Sequence, residues 1–123
     1  MTASPFVILC VEDNDFIRES FAELFATVER RIVCVADSAG AREAMREQHV
    51  HLLMTDINLP DGSGLDVARE ALRQNPTLPV IVCSGNDLSD VALSLGPTAH
   101  PLRKPVDLDE LEALIERLAQ RST

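Results

Sequence analysis

Five short apolar runs punctuate the chain: Phe6–Val11 (FVILCV), residues 32–36 (IVCVA), 52–55 (LLMT), 80–83 (VIVC) and a weaker one over Ala99–Arg103. They are rich in β-branched residues and short enough for strands buried on both faces. The segments between them change period. Ile17, Phe21, Leu24, Phe25 and Val28 fall on one helical face. Residues 39–48 read as a second helix capped by Ser38, and Leu65, Ala68, Ala71 and Leu72 as a third capped by Ser63. Leu88, Val91, Ala92 and Leu95 mark a fourth, and Leu108, Leu111, Leu114, Ile115 and Leu118 a last one. That last helix opens on Asp107 and Glu110, a capping pair with aspartate in place of serine.

Strands alternating with helices predict an α/β fold, a parallel sheet with helices on both faces. Five such units in 123 residues suit the flavodoxin-like (βα)5 doubly wound sandwich, with strand order 2-1-3-4-5. There is no repeat, linker or low-complexity stretch, so residues 1–123 are expected to form a single domain with its core at about 6–120.

Composition narrows the function. The formal net charge of −9 opposes general nucleic-acid binding, because such a surface repels phosphate backbones. No run of eighteen apolar residues is present, and residues 1–5 (MTASP) lack the features of a signal peptide, so a cytoplasmic chain without membrane contact is expected. Cys10, Cys34 and Cys83 each sit in an apolar run and show no metal-ligand spacing; they read as buried thiols of a reducing compartment.

In such sheets ligands collect at the carboxyl ends of the strands. Glu12 and Asp13 follow the first run, Asp56 the third, Ser84 and Gly85 the fourth, and Lys104 and Pro105 the fifth. Three carboxylates on two adjacent central strands repel one another unless a cation neutralises them, and oxygen-only donors favour Mg²⁺ (or Mn²⁺). Pro60, Gly62 and Gly64 shape the turn into the third helix, and Gly62-Ser63-Gly64 lacks the third glycine of a dinucleotide fingerprint.

Residues 11–14 (VEDN), 55–66 (TDINLPDGSGLD) and 103–105 (RKP) resemble the CheY-like receiver domains of two-component response regulators, over about 6–118. The resemblance implies Asp56 as phosphoacceptor, and Glu12, Asp13, Asp56 and the Asn58 backbone carbonyl as the metal set. Ser84 takes the family's hydroxyl position and Lys104 its lysine. The intervals are 84 − 56 = 28 and 104 − 56 = 48, the second slightly short for the family. Gly85 would leave the approach to the phosphoryl oxygen open, and a cis peptide is implied before Pro105. The implied partners are a histidine kinase or a histidine phosphotransfer protein. The chain would be no enzyme beyond self-catalysed phosphotransfer and autodephosphorylation, and a monomer or a weak phosphorylation-dependent dimer.

One position departs from the family pattern. Where receivers carry a switch aromatic, three residues before the lysine, this chain has Pro101, and all four phenylalanines lie within residues 6–25. Proline cannot donate to a ladder, so the fifth strand must lie at an edge. An atypical output switch is expected, with Pro97 hinting at an irregular fourth helix. Two other readings stay open: a phospho-independent pseudo-receiver, and a haloacid-dehalogenase-type phosphohydrolase suggested by Asp13-Asn14-Asp15 after a strand. The latter leaves Asp56 unexplained. The three histidines carry no functional assignment.

Overall fold

A computed structural model describes residues 5–85 and 94–121. Five parallel strands build the main sheet: β1 (Phe6–Val11), β2 (Arg30–Val35), β3 (Leu52–Asp56), β6 (Val80–Ser84) and β7 (Ala99–Arg103), in the order β2-β1-β3-β6-β7. This is the expected 2-1-3-4-5 arrangement, and β7 is an edge, where Pro101 costs no ladder bond on its free side. Between β3 and the third helix a small antiparallel pair intervenes, β4 (Asn58–Leu59) with β5 (Gly62–Ser63), which the apolar pattern did not reveal.

Four helices are described: α1 (Asp15–Phe25), α2 (Ser38–Glu47), α3 (Gly64–Gln74) and α4 (Leu108–Arg121). The helix expected around Leu88–Leu95 falls mostly outside the described residues. Alternation along the strands divides the core in two. Leu9, Leu53, Val80 and Val82 meet α2 and α3, while Ile8, Met54, Ile81 and Cys83 meet Phe25 of α1 and Leu111 and Ile115 of α4.

Helix boundaries follow local polar chemistry more than apolar period. The N-cap of α2 is Asp37, whose Oδ1 accepts from Gly40 N at 2.8 Å; Ser38, expected there, is the first helical residue. Helix α1 ends at Phe25, and Val28, expected on its apolar face, is fully exposed, with Leu24 58% exposed. The cause is a turn in which Thr27 and Arg30 exchange backbone hydrogen bonds and Thr27 Oγ1 accepts from the amides of Glu29 and Arg30. Ser63 and Asp107 cap α3 and α4 as expected, accepting from Leu65 N at 3.1 Å and Glu110 N at 3.0 Å.

Candidate functional site

The carboxyl end of β3 is the centre of the arrangement. Parallel register sets Val11 beside Thr55 and Asp56 beside Cys83, so the residues that follow β1 and end β6 converge on Asp56. Glu12 is 4% exposed and Asp56 9% exposed, whereas Asp13 faces solvent. Oxygens of Glu12, Asp13 and Asp56 all lie within 4.8 Å of one another. Lys104, just past β7, places Nζ 2.7 Å from the Asp56 carboxylate and 3.4 Å from Glu12 Oε1. Burial works against the charged lysine, but the hydrogen bond and charge of Asp56, with Glu12 behind them, raise its pKa above the ordinary value. One ammonium against three carboxylates leaves the cluster anionic. An all-oxygen, net-negative set at this spacing fits a hard divalent cation.

The backbone around the cluster is fixed by residues whose part the sequence did not disclose. Asn14 caps α1 by accepting from Ile17 N at 3.0 Å, and its own amide donates to Glu12 Oε2 at 3.2 Å. Arg18 reaches back one turn to donate to the Glu12 carbonyl at 2.8 Å. Thr55 Oγ1 donates to the Asp56 carbonyl at 2.9 Å. Gly64, expected only to shape a turn, brings the start of α3 against the end of β3. A Cβ there would sit 1.8 Å from the Asp56 carbonyl oxygen. Gly64 N also donates to the Ile57 carbonyl at 2.7 Å.

Asp61, at the turn between β4 and β5, accepts from the amides of Ser38 at 2.8 Å and Ala39 at 3.0 Å, docking that hairpin on the start of α2. Those donors hold its carboxyl below the usual range, against a smaller opposing effect of burial.

The remaining expected positions are placed as follows. Ser84 is buried as the last residue of β6, and its carbonyl accepts from Lys104 N at 2.8 Å. Gly85 follows it, exposed, and an added Cβ there would meet no atom within 4 Å. Asn58 opens β4, exposed, two residues past Asp56. The Lys104–Pro105 peptide is cis. Pro101 pairs in register with Val82 on the exposed edge strand. An apolar cleft of about 510 Å³ runs from Asp56 and Lys104 between α1 and the start of α4, walled by Ile17, Phe21, Met54 and Val106. Cys83 borders it, and burial, with the Asp56 charge second, pushes its thiol up to about 12.

The family model for the response regulator receiver domain matches residues 8–116. The chain belongs to that family. Receivers are signalling domains that histidine kinases phosphorylate and that bind Mg²⁺ at an acidic pocket, which agrees with the Glu12, Asp13 and Asp56 cluster.

Among relatives, this receiver is 35% identical over 120 residues to the TorCAD operon transcriptional regulatory protein TorR of Escherichia coli K12, covering 95% of the chain and 51% of TorR. It is 32% identical to the response regulator protein PmrA of Pseudomonas aeruginosa, covering 94% and 53%. The chain thus spans about half the length of these curated relatives. The solved receiver domain of the TMAO respiratory response regulator TorR superposes with a TM-score of 0.81 at 32% identity, covering 95% of this chain and 98% of that one. Chemotaxis response regulator CheY4 of Vibrio cholerae shares the fold, with a TM-score of 0.82 at 18% identity and coverage of 94% and 99%. No helix of the described residues is long and apolar enough to cross a membrane.

Proposed function

We propose that Asp56 accepts a phosphoryl group from a phosphohistidine on a histidine kinase or a histidine phosphotransfer protein. The observation that carries this reading is the Asp56 carboxylate at the end of the central strand, 2.7 Å from Lys104 Nζ and grouped with Glu12 and Asp13. A carboxylate is a weak nucleophile, so positioning and charge neutralisation must supply the catalysis. An Asp56 oxygen bonds to phosphorus as the phosphorus–nitrogen bond of the donor breaks. Lys104 then faces the phosphoryl oxygens with an ammonium whose pKa the Asp56 and Glu12 carboxylates raise. Glu12, Asp13, Asp56 and, by family resemblance, the Asn58 carbonyl would hold Mg²⁺ (or Mn²⁺). The ion, when bound, neutralises charge on the transferring oxygens.

Ser84, beside Asp56 at the end of β6, is the hydroxyl donor expected to engage the bound phosphoryl group. Its movement would be read without an aromatic at position 101 of β7, where Pro101 stands. The output switch would therefore be atypical, and a phosphorylation-dependent NMR change over residues 86–104 would be its sign. On this reading the chain is one receiver domain with no turnover of its own beyond acquiring and losing the phosphoryl group.

Incubation with acetyl phosphate and Mg²⁺ tests the reading. Intact-mass spectrometry should show one added phosphoryl group on the unsubstituted chain and none on Asp56→Asn. No gain by the unsubstituted chain would leave a phospho-independent module as the better reading. Turnover of small phosphomonoesters that survives Asp56→Asn and is lost on Asp13→Asn would favour the phosphohydrolase.

A further inference from the structure

Two cysteines with no part in phosphoryl chemistry face each other across the first two strands. Cys10 of β1 and Cys34 of β2 are register partners. Adjacent strands run about 4.8 Å apart, inside the Cα separation that a disulfide spans without moving backbone. Both side chains lie on the same face of the sheet, in the core cluster that α1 and α4 cover. The two differ in access: Cys10 is 1% exposed, whereas Cys34 is half-buried on the edge strand of the sheet. Cys83 belongs to the same cluster but sits on β6, with β3 between it and β1.

We propose that Cys10 and Cys34 form a peroxide-reactive dithiol that closes to a reversible disulfide, with Cys34 as the attacking sulfur and Cys10 as the resolving one. Attack by the Cys34 thiolate on hydrogen peroxide forms a sulfur–oxygen bond and expels hydroxide, leaving a sulfenic acid. The Cys10 sulfur then attacks Cys34, the sulfur–oxygen bond breaks, and the released hydroxide takes up the Cys10 proton as water. Overall, two thiols are oxidised and one peroxide is reduced to two waters.

Electrostatics separate the roles in the same direction. The hydrogen bond from Cys10 is the largest influence on Cys34 and lowers its pKa, ahead of the opposing effect of burial, and the Arg18 charge adds to the lowering. The Cys34 sulfur also lies 3.6 Å from the Arg18 carbonyl oxygen in α1, which fixes its position beneath that helix. Cys10, 1% exposed beside its register partner, is reached only by a sulfur already in contact with it.

The test uses the full chain, treated with hydrogen peroxide and then digested without reduction. The expected result is a loss of two hydrogens in the intact mass, a cross-linked peptide joining residues 10 and 34, and full reversal by dithiothreitol. Cys83→Ser should behave identically. Cys10→Ser should instead leave a sulfenic acid on Cys34 that dimedone traps. Addition of oxygen without loss of hydrogens, a cross-link that includes Cys83, or dimedone labelling of Cys83 and not Cys34 would overturn the proposal. The peptide map of the unsubstituted chain decides the pairing even if a variant folds poorly.

Discussion

Lys104 Nζ donates to the Asp56 carboxylate at 2.7 Å and lies 3.4 Å from Glu12, so a single ammonium serves two of the three clustered acids. Its replacement removes the only lysine of the chain. Lys104→Met should lower the initial rate of phosphoryl incorporation from acetyl phosphate by about 10²-fold, the usual cost of one preorganised electrostatic contact in a transfer site. The measurement is intact mass against time at saturating Mg²⁺. An unchanged rate would remove Lys104 from the reaction.

The third acid behaves differently because it faces solvent. Asp13 adds negative charge to a cluster that one lysine does not balance. Asp13→Asn should therefore raise the melting temperature slightly in metal-free buffer by relieving repulsion. It should also lose most of the stabilisation that Mg²⁺ gives the unsubstituted chain, which amounts to about 2.7 kcal/mol when the ion is at a hundredfold excess over its Kd. Thermal melts of both chains with and without Mg²⁺ check the crossing. Equal stabilisation of both by Mg²⁺ would place the ion elsewhere.

Two glycines near the acceptor should respond in opposite ways. At Gly64 a Cβ would lie 1.8 Å from the Asp56 carbonyl oxygen and 2.7 Å from Thr55 Oγ1, a collision with backbone that no rotamer relieves. Gly64→Ala should cost about 3 kcal/mol and displace the β3 end that carries Asp56. At Gly85 nothing lies within 4 Å, so Gly85→Ala should stay within about 0.5 kcal/mol of the unsubstituted chain. Urea melts of the pair provide the comparison. A Gly85→Ala chain that keeps its stability but loses phosphoryl incorporation would show that the open approach needs glycine; retention of both would show that it does not.

The contrast between these glycines shows what the sequence could disclose. Strand order and the convergence of Glu12, Asp13, Asp56 and Lys104 were legible because buried parallel strands write themselves as apolar runs, and the residue after each run is at the same end of the sheet. Gly64 read as an ordinary turn glycine, since nothing local signals that a helix start will press on a distant strand end. Arg18 drew no assignment from the sequence, yet its guanidinium holds the Glu12 carbonyl. Val28 fitted the helical period, but period carries no stop signal, and Thr27 turns the chain before it. Arg30 begins β2 before the apolar run does, held there by a guanidinium 2.8 Å from both Glu112 oxygens in α4. Only the Arg30–Glu112 pair is remote in sequence; the Thr27, Arg18 and Gly64 contacts span two to eight residues, and what hid them is that apolar period records burial and not polar or steric contacts.

His51 supplies a pH dependence at the opposite end of the sheet. It is paired twice with Val7: its amide donates to the Val7 carbonyl at 2.9 Å, and its Nδ1 accepts from the Val7 amide at 2.9 Å. The second bond exists only for a neutral ring, which also stacks on Phe6 with centroids 5.3 Å apart. Burial, and secondarily the neighbouring His49, lower the His51 pKa from its ordinary 6.5. A histidine with a depressed folded value takes up a proton more readily when unfolded, so its contribution to stability is complete above about pH 6.5 and is lost as the pH falls below that. Urea midpoints should accordingly decline between pH 7 and about pH 5, before most carboxylates titrate. His51→Phe keeps a ring beside Phe6 and removes both the acceptor and the titration. It should be less stable at pH 7.5 and show a flatter profile down to pH 5. His49→Gln should flatten the profile in part, by removing the second charge. A His51→Phe profile as steep as that of the unsubstituted chain would assign the dependence to other groups.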